Sequence, residues 1–222
     1  AALGRPRSTL RVVQPFDGEA LPALPAFSLA ILTGSWAMVT DREPWSERTA
    51  AWLRELIEQG KPVLGVCYGH QLMAHAMGAR IGDLPGGAER GAFTITLRDA
   101  ARHDWLLQGL PATFPAYLSH QQSVLEPPTG AHVLGGTARD PYQLLRYGPH
   151  AFSMQPHPEF TPIIMDACAA GRTSSDALLE QRSAAEIREF PWLTQPHTLL
   201  RRFVARYSAS CPRRTVTAAP MA

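Results

Sequence analysis

A short apolar run followed at once by a helical pattern constrains this fold more than any other segment. Val63 to Val66 has the composition of a buried strand, and the run stops at Cys67. Residues 71–77 then have helical spacing, and Gly78 closes them. A strand that turns directly into a helix is the repeating unit of α/β domains. The sequence therefore predicts an α/β fold with Cys67 at the turn between a strand and a helix.

Cys67 at this turn has two interpretations. A tight bend of this kind, a nucleophile elbow, pushes one side chain into the open, and the amino terminus of the following helix favours a thiolate over a thiol. The nearby Gly65 and Gly69 permit backbone angles and close approaches that a side chain would block. The alternative is a small buried hydrophobic residue, which most free cysteines are. The spacing alone leaves both interpretations open.

A second apolar strand, from Ala151, ends in His157-Pro158-Glu159. In extended chain, residues two apart point to the same side, so Glu159 can orient the ring of His157. A nucleophilic cysteine needs a base that takes its proton and later returns one to the leaving group, and that base needs a third group to hold its tautomer. This combination favours nucleophilic catalysis by Cys67, His157 and Glu159.

The rest of the chain alternates strand and helix patterns. Strands are predicted at Thr9–Val13 and Phe27–Thr33, and Ser46 is predicted to cap a helix that runs to Gln59. Further strands are predicted at Phe93–Leu97, Ala116–Ser119, His132–Gly135, Tyr142–Tyr147 and Phe152–Gln155. Further helices are predicted at Pro162–Ala170, Ser175–Glu189 and Pro196–Tyr207. We expect one domain over residues 1–207 and a flexible tail over 208–222.

The composition excludes several classes of function. The formal net charge of the 222 residues is only +2, which gives no case for a nucleic-acid partner or an acidic membrane surface. No apolar stretch approaches the ~20 residues of a membrane span. The sequence has no phosphate-binding glycine loop and no H-E-x-x-H pattern, so we predict neither a cofactor nor a metal. Three cysteines without a C-x-x-C pair indicate a reducing, cytoplasmic setting.

Four segments together resemble the class I, triad-type glutamine amidotransferases. Gly-Val-Cys-Tyr-Gly-His-Gln at 65–71 and Gln-Pro-His-Pro-Glu at 155–159 are similar to the two signatures of that family. Residues 32–39 are similar to its glycine-containing oxyanion loop, and residues 118–124 to its substrate-binding segment. The likeness is greatest to free-standing proteins that resemble the glutaminase domain of GMP synthase. The resemblance covers about residues 9–160 and implies a flavodoxin-like three-layer sandwich with a mainly parallel central sheet.

The resemblance also implies a role for each matching residue. Cys67 is the nucleophile, His157 the acid and base, and Glu159 its orienting carboxylate. The backbone N–H of Tyr68, with that of Gly34 or Ser35, stabilises the oxyanion; the family often has Gly-Gly-Pro where this chain has Gly34-Ser35-Trp36. The residues implied to hold the substrate are Gln71, at its amino-acid end, and the backbone of Ser119, His120, Gln121 and Gln122.

The implied activity is hydrolysis of glutamine to glutamate and ammonia, with the ammonia passed to a synthase partner or another acceptor. Two alternatives remain: a γ-glutamyl hydrolase or peptidase, and a non-catalytic binding relative. The family begins with a strand, a loop and a helix for which the eight residues before Thr9 are too short. We therefore expect the first strand to be missing and its neighbours to be unpaired. A trimmed chain, a misplaced start and a sheet completed in some other way all remain open.

Overall fold

The computed structural model describes residues 9–162, 164, 165, 168 and 193–208. These residues form nine strands and three longer helices. The helices are α1 (Pro44–Glu58), α2 (Tyr68–Ala76) and α3 (Thr194–Ser208). The strands are β1 (Ala30–Leu32), β2 (Val63–Val66), β3 (Arg80–Asp83), β4 (Glu89–Leu97), β5 (Thr113–His120), β6 (Gln122–Glu126), β7 (His132–Gly136), β8 (Leu144–Arg146) and β9 (Ala151–Met154).

Seven strands form one sheet in the order β1-β2-β9-β8-β7-β4-β5, and β3 pairs with β6 in a separate antiparallel pair. Strands β1, β2 and β9 run parallel. The other pairings in the large sheet are antiparallel. The predicted α/β fold is confirmed; its central sheet is mixed, and the parallel part is the part that leads into Cys67.

Helices cover both faces of the sheet, as the predicted three-layer sandwich requires. Alternate residues of a strand point to opposite faces. Val63 of β2 packs with α1 and α2, whereas Leu64 packs with α3. Leu53 and Phe203, from opposite helical layers, are both fully buried. The sheet therefore separates two apolar layers, and burial of these side chains stabilises the fold by roughly 2 kcal/mol each.

Two glycines allow α2 to lie directly against the parallel strands. A Cβ atom on Gly65 would stand 2.5 Å from the carbonyl oxygen of Gly69, and one on Gly69 would stand 2.6 Å from the Cβ of Leu32. Neither glycine has a positive φ. Close approach, rather than unusual backbone angles, is therefore what requires glycine at both positions.

The amino-terminal prediction was wrong. Thr9–Val13 does not form a strand; residues 9–29 are irregular apart from short 3₁₀ turns, two of which include a proline, Pro15–Asp17 and Leu24–Ala26. Without a neighbouring strand an extended segment has no hydrogen-bonding partner. Consistently, β1 is an edge strand whose neighbour within the described part of the chain is β2.

Other boundaries moved for local reasons. Helix α1 begins at Pro44, whose fixed φ suits the first turn, so Ser46 is not its cap. The pair β3 and β6 was not predicted, because its members are short and mostly polar. The helix predicted at Pro162–Ala170 is described only in part, and Ser175–Glu189 and residues 209–222 lie outside the described residues. No helix in the described residues is both long and apolar enough to cross a membrane.

Candidate active site

Cys67 occupies a strained turn between β2 and α2. Its backbone angles are φ 51° and ψ −105°, a conformation that residues with a side chain rarely adopt. Its N–H donates to the carbonyl oxygen of Met154 at 3.0 Å, which anchors the turn to β9. The residue is 6% exposed and lines a cavity. Cys67 is therefore buried, as one interpretation required, but its sulfur faces open space, as the other required.

His157 reaches the same place because β9 lies beside β2. Gly65 pairs with Ser153 and Val66 with Met154, so the carboxyl ends of the two strands are adjacent. The chain then continues to His157, whose backbone N–H donates to the carbonyl oxygen of Tyr117 at 3.0 Å. Parallel pairing thus brings together residues that are ninety positions apart in the sequence.

Glu159 orients the ring of His157. Its Oε1 lies 2.8 Å from His157 Nδ1, and the ring of Phe160 stacks on the imidazole with centroids 3.9 Å apart. The His157 side chain is 7% exposed and that of Glu159 is 45% exposed. The carboxylate of Glu159 is therefore partly exposed to solvent, whereas the imidazole ring of His157 that it contacts is buried.

The charge state of His157 follows from its neighbours. Burial by itself lowers the pKa of His157, but hydrogen bonds and charge interactions with Cys67 and Glu159 outweigh burial and raise the pKa to about 9. At neutral pH the imidazole therefore carries a proton that it can give to a leaving group.

The loop after β1 brings Gly34 against both catalytic candidates. A Cβ atom on Gly34 would lie 3.1 Å from His157 Cε1 and 3.6 Å from Cys67 Cβ. The Ser35 hydroxyl accepts the N–H of Ala37 at 3.2 Å and so shapes the same loop. This position is suitable for an oxyanion donor from Gly34 or Ser35, and the choice between them stays a prediction.

Tyr68 follows Cys67 at the first position of α2. Its ring packs on Trp45 with centroids 5.7 Å apart, and its hydroxyl is 2.6 Å from the buried hydroxyl of Ser46. These contacts hold the residue whose backbone N–H is the other predicted oxyanion donor.

The predicted substrate segment forms the opposite wall. Residues 119–122 span the end of β5 and the start of β6, and the Cys67 thiol lies 3.9 Å from the carbonyl oxygen of Ser119. Gln71 donates its amide hydrogens to the carbonyl of Gln122 at 2.6 Å and to Gln155 Oε1 at 3.0 Å. A contact between Gln71 and substrate therefore depends on its Oε1.

His120 lines the cavity, but both of its ring nitrogens already have protein partners. Nδ1 lies 2.9 Å from the Gln122 carbonyl oxygen and Nε2 lies 3.0 Å from Glu89 Oε2. The ring of His120 therefore supports the wall, and the role of the residue 120 backbone in holding the substrate stays a prediction.

One cavity of about 270 Å³ contacts every predicted site residue. That volume is near the lower end of the range for small-ligand pockets, about 300–1,000 Å³. The predicted residues that line it are Gly34, Ser35, Cys67, Tyr68, Gln71, Ser119, His120, Gln121, Gln122, His157 and Glu159. The remaining lining is largely apolar and consists of Thr33, Trp36, Ala37, Met38, Phe160 and Cys168.

Comparison with known proteins shows the family of this chain. The family model for glutamine amidotransferase class-I matches residues 19–167. A glutamine-hydrolyzing GMP synthase from Aeropyrum pernix is 36% identical over 142 residues, which are 64% of this chain and 25% of the synthase. The chain belongs to the class I glutamine amidotransferase family.

Two further proteins are similar to this chain, and their names differ. Gamma-glutamyl peptidase 3 from Arabidopsis thaliana is 29% identical over 162 residues, 70% of this chain and 64% of the peptidase. A glutamine amidotransferase structure from Methylobacillus flagellatus superimposes with a TM-score of 0.73 and 20% identity, covering 95% of this chain and 88% of that one. This likeness shows the fold. The chain spans about a quarter of the A. pernix synthase and just under two thirds of the peptidase.

Sequence reasoning missed several polar residues of this amidotransferase site. Glu89, Asp140, Gln143 and Gln155 are each at most 1% exposed and are bonded to one another or to the predicted residues. Gln155 could have been found, because it stands two residues before His157 in extended chain. The other three have no local signal, since long-range pairing brings them together.

His70 and a small acidic cluster bear on metal binding. His70 Nδ1 is 2.7 Å from the Ser153 hydroxyl, and burial lowers the pKa of His70 to about 3, so it is a neutral structural residue. Ligand atoms of Glu89, His120 and Asp140 lie within 4.8 Å of one another, a spacing that a metal could use. Those atoms are hydrogen-bonded to protein groups, which satisfies them without an ion.

Proposed function

We propose that this protein hydrolyses the side-chain amide of glutamine to glutamate and ammonia through a thioester on Cys67. The observation that carries the proposal is the placement of His157 between Cys67 and Glu159 in one small cavity. Membership of the class I family supports the same chemistry. We also propose that the ammonia passes to an acceptor or to a synthase partner, in a reducing cytoplasm.

In the first half of the reaction, the Cys67 sulfur attacks the amide carbon and its electron pair forms the C–S bond. The carbonyl oxygen becomes an oxyanion facing the N–H of Tyr68 and the Gly34–Ser35 loop. His157 then gives its proton to the amide nitrogen, the C–N bond breaks, and ammonia leaves. Loss of one oxyanion donor would raise the barrier by about 3 kcal/mol.

In the second half, His157 must act as a base. The sulfur of the thioester carries no charge, so one of the interactions that raise the pKa of His157 is removed. Its pKa then falls, and the neutral ring takes a proton from water, which attacks the thioester carbon. When that intermediate breaks down, its C–S bond breaks, the electron pair returns to the Cys67 sulfur, and glutamate is released. The same imidazole thus changes from acid to base because its neighbour changes charge.

A second substrate class has one observation in its favour. The cavity is partly lined by apolar side chains, and Trp36 on the oxyanion loop is 72% exposed. An exposed aromatic side chain at the mouth could contact the leaving group of a larger γ-glutamyl amide. The small cavity volume favours glutamine, so the γ-glutamyl peptidase reading is the second candidate.

The test uses a glutamine-derived electrophile, 6-diazo-5-oxonorleucine, on the full chain. We expect mass addition at Cys67 and loss of ammonia release in Cys67→Ser. Cys168→Ser is the matched control, because Cys168 is a second thiol at the same cavity. Its labelling and turnover should equal those of the wild type.

The outcomes separate the candidates. Ammonia release from glutamine, abolished by Cys67→Ser, supports the proposal. Much faster turnover of γ-glutamyl dipeptides than of glutamine would favour the peptidase. A folded wild-type protein that shows neither labelling nor turnover would leave the non-catalytic binding relative.

A further inference from the structure

A buried polar network stands directly behind the substrate wall. Glu89 on β4, His120 at the end of β5, and Asp140 and Gln143 between β7 and β8 are each at most 4% exposed. Gln143 Nε2 donates to Glu89 Oε2 at 2.7 Å and to Asp140 at 3.2 Å. Gln143 is held through its amide hydrogens, because its Oε1 has no hydrogen-bond partner in the described part of the chain.

Both oxygens of Glu89 accept hydrogen bonds. The Thr137 hydroxyl oxygen accepts the N–H groups of residues 139 and 140, so its own hydrogen is free to be donated to Glu89 Oε1, 2.6 Å away. Gln143 donates to the other oxygen. Hydrogen bonds from the segment between β7 and β8 therefore fix the Glu89 side chain at both oxygens.

The hydrogen bond to Gln122 places a hydrogen on Nδ1 of His120. Nδ1 faces the carbonyl oxygen of Gln122, which can only accept, so Nδ1 carries a hydrogen. Nε2 lies 3.0 Å from Glu89 Oε2 and 3.4 Å from Gln143 Nε2. Glu89 and His120 thus form a buried hydrogen-bonded pair with Nδ1–H directed at Gln122.

The Gln122 carbonyl oxygen joins this pair to the catalytic side. It accepts from His120 Nδ1 and from Gln71 Nε2, and Gln71 also donates to Gln155, two residues before His157. One carbonyl thus connects the β5–β6 turn, helix α2 and the end of β9. Its orientation fixes the wall formed by residues 119–122.

We propose that Glu89 is a positioning residue for the substrate and acts through His120. Its hydrogen bond to Nε2 holds the ring so that Nδ1–H is directed at Gln122, and so maintains the shape of the substrate wall. Glu89 does not line the cavity itself. The inference rests on the proposed hydrolysis of glutamine and assigns Glu89 an effect on KM rather than on kcat.

Glu89→Gln tests this assignment, because it keeps the shape of the side chain and replaces one accepting oxygen with an N–H donor. A donor then faces either Thr137 or Gln143 and His120, and the bond from His120 to Gln122 weakens. We expect KM for glutamine to rise about tenfold, with kcat changed less than about threefold.

Glu126→Gln is the matched control. Glu126 is an exposed carboxylate of β6 that pairs with Arg80 at 2.6 Å, outside the buried network. The same change there should leave KM as in the wild type. A KM in Glu89→Gln that equals the wild-type value, or a parallel fall of kcat, would overturn the inference.

A second measurement does not depend on turnover or on the folding of a variant. In ¹⁵N-histidine NMR of the wild type, His120 should carry a hydrogen on Nδ1. If the wild type fails to hydrolyse glutamine, the proposed function fails, and this spectrum decides the Glu89 inference by itself. A His120 ring whose Nδ1 carries no hydrogen would overturn it.

Discussion

The two walls of the cavity are built by different means. On the elbow side, parallel strands, two glycines and a strained Cys67 backbone hold the reacting groups. On the substrate side, antiparallel strands carry a buried network of side-chain hydrogen bonds around Glu89 and His120. Backbone geometry thus positions the chemistry, and side-chain networks position the substrate. Substitutions should accordingly lower kcat on the first wall and raise KM on the second.

The largest effect is expected for Glu159→Gln. The amide keeps the contact with the imidazole but no longer favours its charged form. We expect kcat to fall by roughly 10²–10³-fold with KM nearly unchanged, less than the ~10⁴-fold known for a fully buried orienting carboxylate, because Glu159 is 45% exposed. Steady-state ammonia release checks this. A KM effect larger than the kcat effect would contradict the division between the walls.

Gly69→Ala tests the backbone packing of the elbow. A new methyl group would stand 2.6 Å from Leu32 Cβ and 2.7 Å from its carbonyl oxygen, so α2 must move away from β1. We expect the free energy of unfolding to fall by about 3 kcal/mol in urea titrations.

The control for this change is Gly130→Ala, in a turn where a Cβ atom meets nothing within 4 Å. Gly130 has φ 84°, so its alanine costs only about 1 kcal/mol of backbone strain. Equal losses at the two positions would show that close packing at the elbow is not what requires glycine.

The pH profile tests the charge state of the elbow side. The His157 imidazole donates its proton only while protonated, and its pKa is raised to about 9. As pH rises through about 9 this proton is lost, so kcat/KM should fall about tenfold per pH unit above that value. In Glu159→Gln the fall in kcat/KM should begin at lower pH, because Glu159 helps to raise the pKa of His157. A wild-type fall in kcat/KM centred near pH 7 would refute the assignment.

The smallest effects come from two buried serines, one behind each wall. Ser46 bonds to the Tyr68 hydroxyl, and Ser123 bonds to Asp140. Each change to alanine should lower the free energy of unfolding by about 1 kcal/mol. Only Ser123→Ala should raise KM for glutamine, by about threefold, because Asp140 belongs to the substrate-side network. Equal KM values in both variants would remove the functional difference between the walls.

The elbow side could be predicted from the sequence because its signals are local. The strand before Cys67, the helix after it and the His-Pro-Glu segment each occupy a few consecutive residues, and parallel pairing of β2 with β9 brings them together. The glycines at 65 and 69 were also identified in advance, although close approach rather than backbone angle explains both.

The substrate side could be predicted only in part. Residues 119–122 were found through a resemblance, but Glu89 and Gln143 reach them through strand pairings and loops separated by tens of residues. No period or spacing in one sequence encodes such contacts. The missing strand at Thr9–Val13 and the displaced start of α1 have the same origin, since pairing partners and Pro44 outweighed local preference.

The backbone of Cys67 has a consequence for how this protein would lose activity. A backbone with positive φ at a residue with a side chain persists only while its surroundings enforce it. At low denaturant concentration this turn should unfold first, so the Cys67 thiol would move away from His157 while most of the sheet stays intact. Inactivation would therefore precede global unfolding, and the arrangement of the reacting groups would be the least stable part of the domain.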